Sequence, residues 1–283
     1  MNTEELALLL CTNGSSVTQP ALEYGVWLAG LLHLPVKLLG VVESPEHTQQ
    51  INAWLDTIVG KLREAGIDFG VSVETGVAEE VIAAQTAAGR YFTVVGPFGR
   101  PAWQRVIKGR SIRRILENVV TPIFYVRASR MKMERILVCT GGLDLAAGVE
   151  HLCYYLARQS GACVTLLHVV EPVTLQYPLA QQVYAHRKDL IDSDTPQGRN
   201  LRNAVEEGRN AGLDIDYKIR QGNVVREIVE EARAGDYDLV GLGSHYSAHS
   251  LRHLYLPNVS AEVAEALVCP ILVVRQGHEL IRS

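Results

Sequence analysis

No apolar run in the 283 residues approaches the roughly 18 that a membrane span requires, so no transmembrane segment is expected. Surplus charge is also scarce. There are 27 basic and 31 acidic residues, for a formal net charge of −4. Residues 1–130 hold 12 of each sign, and residues 131–283 hold 15 basic and 19 acidic. Neither half has the basic excess of a nucleic-acid binder, and no nucleic-acid partner is expected. The five cysteines are an odd number with no CxxC pair, which argues against a disulfide framework or a zinc ribbon. Cys11 and Cys139 lie inside apolar runs and read as small buried residues of a reducing compartment. The opening MNTEELALLLCTNGSS puts Glu4 and Glu5 where a signal peptide carries basic residues, and its apolar run is short. The expectation is a cytoplasmic protein. G-x-S-x-G, HExxH and Walker lysine motifs are missing, so no catalytic residue and no metal site is assigned. What is present is ordinary: 47% hydrophobic and 20% charged residues, enough to fill a core.

The informative feature is repetition. LLLCTNG (Leu8–Gly14) and ILVCTGG (Ile136–Gly142) lie 128 positions apart. Trp27-Leu28-Ala29 matches Tyr155-Leu156-Ala157, and LLGVVE (Leu38–Glu43) matches LLHVVE (Leu166–Glu171), at the same offset. Gly66 and Gly76 match Gly212 and Gly222 at 146, and TPIFYVR (Thr121–Arg127) matches CPILVVR (Cys269–Arg275) at 148. One unit of about 130 residues is duplicated in tandem, with domains expected at 1–130 and 131–283. The 18-residue jump in offset falls between Glu171 and Gly212 and places an insertion at about 172–196. That insertion is expected to add helix or loop at the rim without adding a core strand. Its Tyr177 and Tyr184 would anchor an extra helix or form a partner surface. The join is the short polar stretch ASRMKME (Ala128–Glu134).

Within the unit, short apolar runs alternate with amphipathic ones. ELALLLC, PVKLLGVVE, FGVSVETG, YFTVVG and PIFYVR read as strands. The segments beginning at Thr18, Thr48, Ala78 and Gly109 show helical spacing, as in Ile51, Leu55, Ile58 and Leu62. Strict β-α alternation predicts an α/β fold, an open parallel sheet of five strands per unit with helices on both faces. Ligands of such sheets lie at the carboxyl ends of the strands. The two closing strands, PIFYVR and PILVVR, are apolar, and each would be an exposed edge unless they pair with one another.

Strand four of the first unit runs into GPFGRPAWQRVIKGRS, in which Gly96, Gly99 and Gly109 have the spacing G-x2-G-x9-G. Six basic residues and no acid lie between Arg100 and Arg114. Glycines let backbone N–H groups approach an anion, and a helix start adds a favourable dipole. The stretch reads either as a phosphate cradle or as a turning loop followed by a helix with a solvated basic face. Ser15, Ser16 and Ser111 read as turn or helix-start residues with a capping role.

These features together resemble the universal stress protein family: the turn after strand one, VVE after strand two, the glycine after strand three, G-x2-G-x9-G, and the closing TP-I-x-x-VR. The resemblance covers both copies and implies Rossmann-like open sheets. In the family's nucleotide-binding members, ATP lies across the strand ends, with adenine and ribose at strands one and two and phosphates on the glycine loop. Carried over to this chain, the resemblance implies ATP or ADP in the first unit, with Mg2+ as an accompanying ion. Thr12, Asn13 and Val41 would stand at the adenine end, and Gly96, Gly99, Gly109, Arg110 and Ser111 at the phosphates. It also implies pairing of the two domains within the chain, with a homodimer or a regulatory protein as further partners, and at most slow ATP hydrolysis. A stress-response or signalling role follows from the resemblance, and a protein-interaction scaffold that binds no nucleotide is the alternative.

Two positions depart from the family pattern. Asn13 stands where binders usually have Asp, and Arg110 precedes the expected hydroxyl residue, Ser111. The second copy departs further: Tyr246 replaces the second glycine, Pro257-Asn258 replace Gly-Ser, and Gly141 replaces the acid of strand one. A tyrosine fills phosphate space and a proline lacks a donor, so nucleotide is expected in the first copy alone. His245, His249 and His253 are spaced to share a helix face, but no acid or cysteine completes a zinc set nearby, and they read as surface histidines.

Overall fold

The computed structural model describes residues 6–98, 111–141, 147–171, 190–244 and 259–275. The first repeat contributes strands β1 (Ala7–Thr12), β2 (Val36–Val42), β3 (Phe69–Thr75), β4 (Tyr91–Val95) and β5 (Ile123–Tyr125). Its helices are α1 (Gln19–Leu32), α2 (Thr48–Glu64), α3 (Ala78–Ala87) and α4 (Ser111–Asn118). The second repeat contributes β6 (Arg135–Thr140), β7 (Cys163–Val170), β8 (Ile215–Gln221), β9 (Leu239–Ser244) and β10 (Ile271–Arg275). With them come α5 (Ala147–Ser160), α6 (Pro196–Asn210), α7 (Val224–Ala234) and α8 (Val259–Ala266). Both repeats therefore follow the expected alternation.

The two five-stranded sheets fuse into one of ten strands, in the order β3-β2-β1-β4-β5-β10-β9-β6-β7-β8. Every pairing is parallel except the central one. There β5 and β10 run antiparallel, with Ile123, Phe124 and Tyr125 opposite Val273, Leu272 and Ile271. The expected pairing of the two apolar closing strands is what joins the repeats. It removes two edges that would otherwise template aggregation. Among the described residues the second repeat keeps the strand order of the first, and residues 190–195 form turns rather than a strand. The remainder of the insertion, with Tyr177 and Tyr184, lies outside the described residues.

Alternation along each strand divides the core into two layers. Leu8, Leu10, Leu38, Phe124, Leu166 and Leu272 face α1, α2, α5 and α6. Leu9, Cys11, Leu39, Tyr125, Leu167 and Ile271 face α3, α4, α7 and α8. Cys11 is fully buried, as expected, and burial pushes its thiol well above the ordinary range. Phe124 sits at the seam, edge-on to Phe92 at 6.2 Å and 6.4 Å from Tyr24 of α1. Chain reversals repeat as well: the turns after α2 and α6 use Gly66 and Gly212 at φ 66° and 77°, a left-handed conformation that favours glycine.

The seam is clasped by two equivalent arginines. Arg127, just past β5, donates from Nη1 to the carbonyls of Glu265 (2.7 Å) and Leu267 (3.0 Å), at the end of α8 in the other repeat. Arg275, at the end of β10, donates from Nη2 to the carbonyls of Leu116 (2.9 Å) and Glu117 (2.7 Å), at the end of α4. Each repeat thus supplies a cation to the C-terminal carbonyls, and to the negative dipole end, of its neighbour's last helix. The join between repeats is fixed by Asp238, which is 1% exposed. It accepts from the backbone N–H of Glu134 (2.9 Å) and Arg135 (3.2 Å) and from Arg130 Nη1 (3.0 Å).

Candidate functional site

In the first repeat the strand order reverses between β1 and β4. β1 is followed by α1 on one face of the sheet and β4 by α4 on the other, and such a switch point is where a ligand crevice is expected. The register pairs Cys11 with Val95, which sets Thr12 beside Gly96 at the mouth. Of the residues expected to meet a nucleotide, Thr12, Asn13, Val41 and Gly96 gather here. Ser111 is the first residue of α4. Gly99, Gly109 and Arg110 lie outside the described residues.

The turn after β1 is a closed hydrogen-bond circuit. The Thr18 hydroxyl donates to the Ser15 carbonyl at 2.7 Å, so in the 2.7 Å contact between the two hydroxyls Thr12 is the donor. Thr12 Oγ1 in turn accepts from the Gly14 N–H at 3.1 Å. Its hydroxyl is consumed within the turn. Asn13 Oδ1 accepts from the Ser15 N–H at 3.2 Å, an Asx turn that also fixes which side-chain atom is the amide nitrogen. Nδ2 has no hydrogen-bond partner among the described residues, although Asn13 is only 6% exposed. Gly14 has φ 78°, and a Cβ there would stand 2.7 Å from Ile51 Cγ1. The capping expected of Ser15 and Ser16 is not found. No side chain caps the 3-10 turn Ser16–Thr18, and the Ser15 carbonyl accepts the Thr18 hydroxyl instead.

Gly96 has a purpose inside the protein. A Cβ there would lie 3.1 Å from Thr18 Cα and 3.2 Å from Ala21 Cβ, so its absence lets the end of β4 pack against the start of α1. Val41 is fully buried, and its side chain belongs to the core layer with Ala78 and Ile82. Only the Val41 backbone, one residue past the Thr12↔Gly40 pairing, is placed to face the crevice.

The second repeat has the matching crevice between β6 and β9, with different chemistry. Thr140 takes the place of Thr12, but Glu150 takes that of Leu22 and His168 that of Gly40. Thr140, Glu150 and His168 are 7%, 8% and 6% exposed. Ser260 closes the β9 end by donating to the Gly243 carbonyl at 3.3 Å. Sequence reasoning did not single out Glu150 and His168, although the signal was there: LLGVVE and LLHVVE differ only at the glycine that becomes His168. Tyr246, Pro257, Asn258 and the three histidines His245, His249 and His253 lie outside the described residues. Among the described residues no three His, Cys, Asp or Glu side chains gather as a metal site.

A model of the universal stress protein family matches residues 132–275, about half of the chain. The chain belongs to that family. This universal stress protein is similar over 95% of its length to universal stress protein Slr1230 of Synechocystis sp. (23% identical), covering 99% of that protein. It is 28% identical over 146 residues to universal stress protein YxiE of Bacillus subtilis, covering 98% of that protein with 50% of this chain. One is matched end to end and the other by half of the chain, as a tandem member requires. A universal stress protein of Archaeoglobus fulgidus shares the fold, with a TM-score of 0.73 at 18% identity and 96% of both chains covered. The family model falls on the second repeat, the one whose glycine spacing is broken.

Proposed function

We propose that the first repeat, residues 1–130, binds an adenine nucleotide, ATP or ADP, in the β1/β4 crevice, and that the chain acts in stress response or signalling as a cytoplasmic protein. The second repeat, residues 131–283, does not bind nucleotide in this reading. The observation that carries it is Asn13: a nearly buried amide at the strand ends whose Nδ2 has no partner among the described residues. A donor open at the strand ends can be taken up by a ligand acceptor in the crevice, a hydrogen bond worth about 1 kcal/mol. The backbone after β4, with Gly99, Gly109, Arg110 and Ser111, would meet the phosphates. No crevice residue named here is a carboxylate, so Mg2+ would arrive on the phosphates rather than on a protein site. No catalytic group is assigned.

A second reading has its own support. Thr12 and Gly96 are both explained by internal bonding and packing, as they would be in a scaffold that acts through protein contacts. Titration with ATP by calorimetry separates the two. Wild type should bind, and Asn13→Ala should bind about fivefold more weakly, the loss of one hydrogen bond of about 1 kcal/mol. Gly99→Tyr should block the phosphates. No heat at millimolar ATP, or equal affinity in all three proteins, would favour the scaffold.

A further inference from the structure

The second crevice buries a carboxyl and an imidazole where the first buries neither. Leu22 and Gly40 of the first repeat become Glu150 and His168, both more than nine-tenths buried. Packing alone needs neither change, since the same positions are filled without charge in the other copy of the fold.

The three polar residues are organised around Thr140. Thr140 and His168 are direct cross-strand neighbours on β6 and β7. His168 Nδ1 lies 3.2 Å from the Thr140 carbonyl oxygen. A carbonyl can only accept, so Nδ1 carries the hydrogen and Nε2 is the lone-pair nitrogen. Among the described residues Nε2 has no partner. Glu150, in the first turn of α5, shares a hydrogen bond with the Thr140 side chain. We propose that Glu150, Thr140 and His168 form a proton-binding site that makes the second repeat a pH-responsive element of this protein.

The surroundings determine how that site titrates. Burial dominates and pushes the Glu150 carboxyl up to about 7, against the Thr140 hydrogen bond, which favours the charged form. Glu207 of α6 pushes in the same direction as burial, and His151 of α5 opposes it. Those two are themselves paired at 2.8 Å. Cys153 and Tyr154, on the same helix, are held neutral by burial. From β9 and β10 the nearby groups are apolar: Gly241 meets Val149 and Cys153, and Val274 lies over Gly148. Burial also lowers His168 below its ordinary value, so it stays neutral while Glu150 changes charge.

The direction of the response follows. An unfolded glutamate ionises near 4.5, the folded Glu150 near 7. Between these values the native state holds one more proton than the unfolded state. Stability from this site is therefore fully present below 4.5 and is lost as pH rises through 7. Acidification of a neutral solution loads the Glu150 proton and removes the cost of the buried carboxylate.

The test is a 13C side-chain carboxyl titration of the full chain labelled at glutamate. One resonance should titrate near pH 7 and vanish in Glu150→Gln. In Thr140→Val, which removes the hydroxyl that favours the carboxylate, its midpoint should move upward. In chemical denaturation the stability of wild type relative to Glu150→Gln should fall between pH 5 and 7, roughly the interval separating the two ionisations; the opposing contribution of buried His168 is common to both proteins and cancels in the difference. The wild-type titration stands even if a variant does not fold. A spectrum in which every glutamate has titrated by about pH 5.5 overturns the proposal. So does a pH–stability slope that Glu150→Gln leaves unchanged.

Discussion

The arginine clasp makes a strong claim about what holds the two repeats together, because its two halves can be removed one at a time. Arg127→Ala deletes two charge-assisted bonds to the end of α8, and Arg275→Ala deletes two to the end of α4. A cation at a helix C-terminus contributes about 0.3–1 kcal/mol when exposed and up to about 2 when partly buried. Arg127 is exposed and Arg275 half-buried, so solvent screens the first more than the second. We expect losses of about 1 kcal/mol for Arg127→Ala and about 2 kcal/mol for Arg275→Ala. Both act on one seam, where β5 gives only three paired positions to β10. The double variant should therefore lose more than the sum, by about 0.5 kcal/mol or more of coupling. At this chain length about 3 kcal/mol corresponds to roughly 6–12 °C in Tm. Urea denaturation of the four proteins provides the energies, and amide exchange of β5 and β10 locates them. Single variants within about 0.3 kcal/mol of wild type, or exchange that speeds up everywhere except at the seam, would refute the clasp.

Three further expectations follow from other elements. Gly14→Ala and Gly66→Ala both force alanine into a left-handed backbone, at about 1 kcal/mol each, but only Gly14 also meets a side chain, at 2.7 Å. The first should destabilise by about 1–2 kcal/mol more than the second in thermal melts, and equal losses would show that Ile51 simply yields. Asp238→Ala strips an acceptor from two backbone N–H groups and from Arg130; because Arg130 keeps Asp236, we expect about 2–3 kcal/mol rather than the full cost of a stranded charge, measured by urea denaturation. His168 acts with the opposite sign to Glu150: the unfolded chain takes up a proton near 6.5 while the buried ring does not, so stability falls as pH drops below 6.5, and His168→Asn should remove that acid slope from denaturation curves.

Much of the fold was legible because the chain states it twice. Internal offsets of 128, 146 and 148 aligned five strands with five strands, and period and length separated strands from helices within each copy. Even the seam followed from a local fact, that two apolar closing strands need a partner. The candidate site was less legible, because its residues carry two duties that sequence does not separate. Gly96 belongs to the glycine spacing, yet the packing of Thr18 and Ala21 against it is sufficient reason for glycine. Thr12 has the right chemistry at the right strand end, yet its hydroxyl is spent within its own turn. Such outcomes depend on which partner reaches a group first, and that is settled by distances between segments remote in sequence.

The comparison of the two copies says more about function than either copy alone. A duplicated unit begins with the same groups at the same strand ends, so every difference at the crevice is a change made on one scaffold. The first copy keeps Leu22 and Gly40 beside the crevice and leaves an amide donor there, Asn13 Nδ2, without a partner among the described residues. A donor suits a ligand rich in acceptors, such as a nucleotide. The second copy places Glu150 and His168 at the same positions, a carboxyl and a ring nitrogen that accepts. A phosphate brought to that crevice would meet a carboxylate above pH 7, and like charges in a buried setting repel strongly. In this reading the substitutions that would repel an anion from the second crevice are also the ones that would give it a proton to bind. Glu150→Leu combined with His168→Gly would restore the first copy's residues at both positions. That double variant should lose the acid slope that Glu150→Gln alone retains from His168, as read from urea midpoints at pH 5 and 7, roughly the ends of the Glu150 window. It should still bind no second equivalent of ATP, because Tyr246 and Pro257 remain. A second equivalent in calorimetry would show that Glu150 and His168, rather than the loop, had been the barrier.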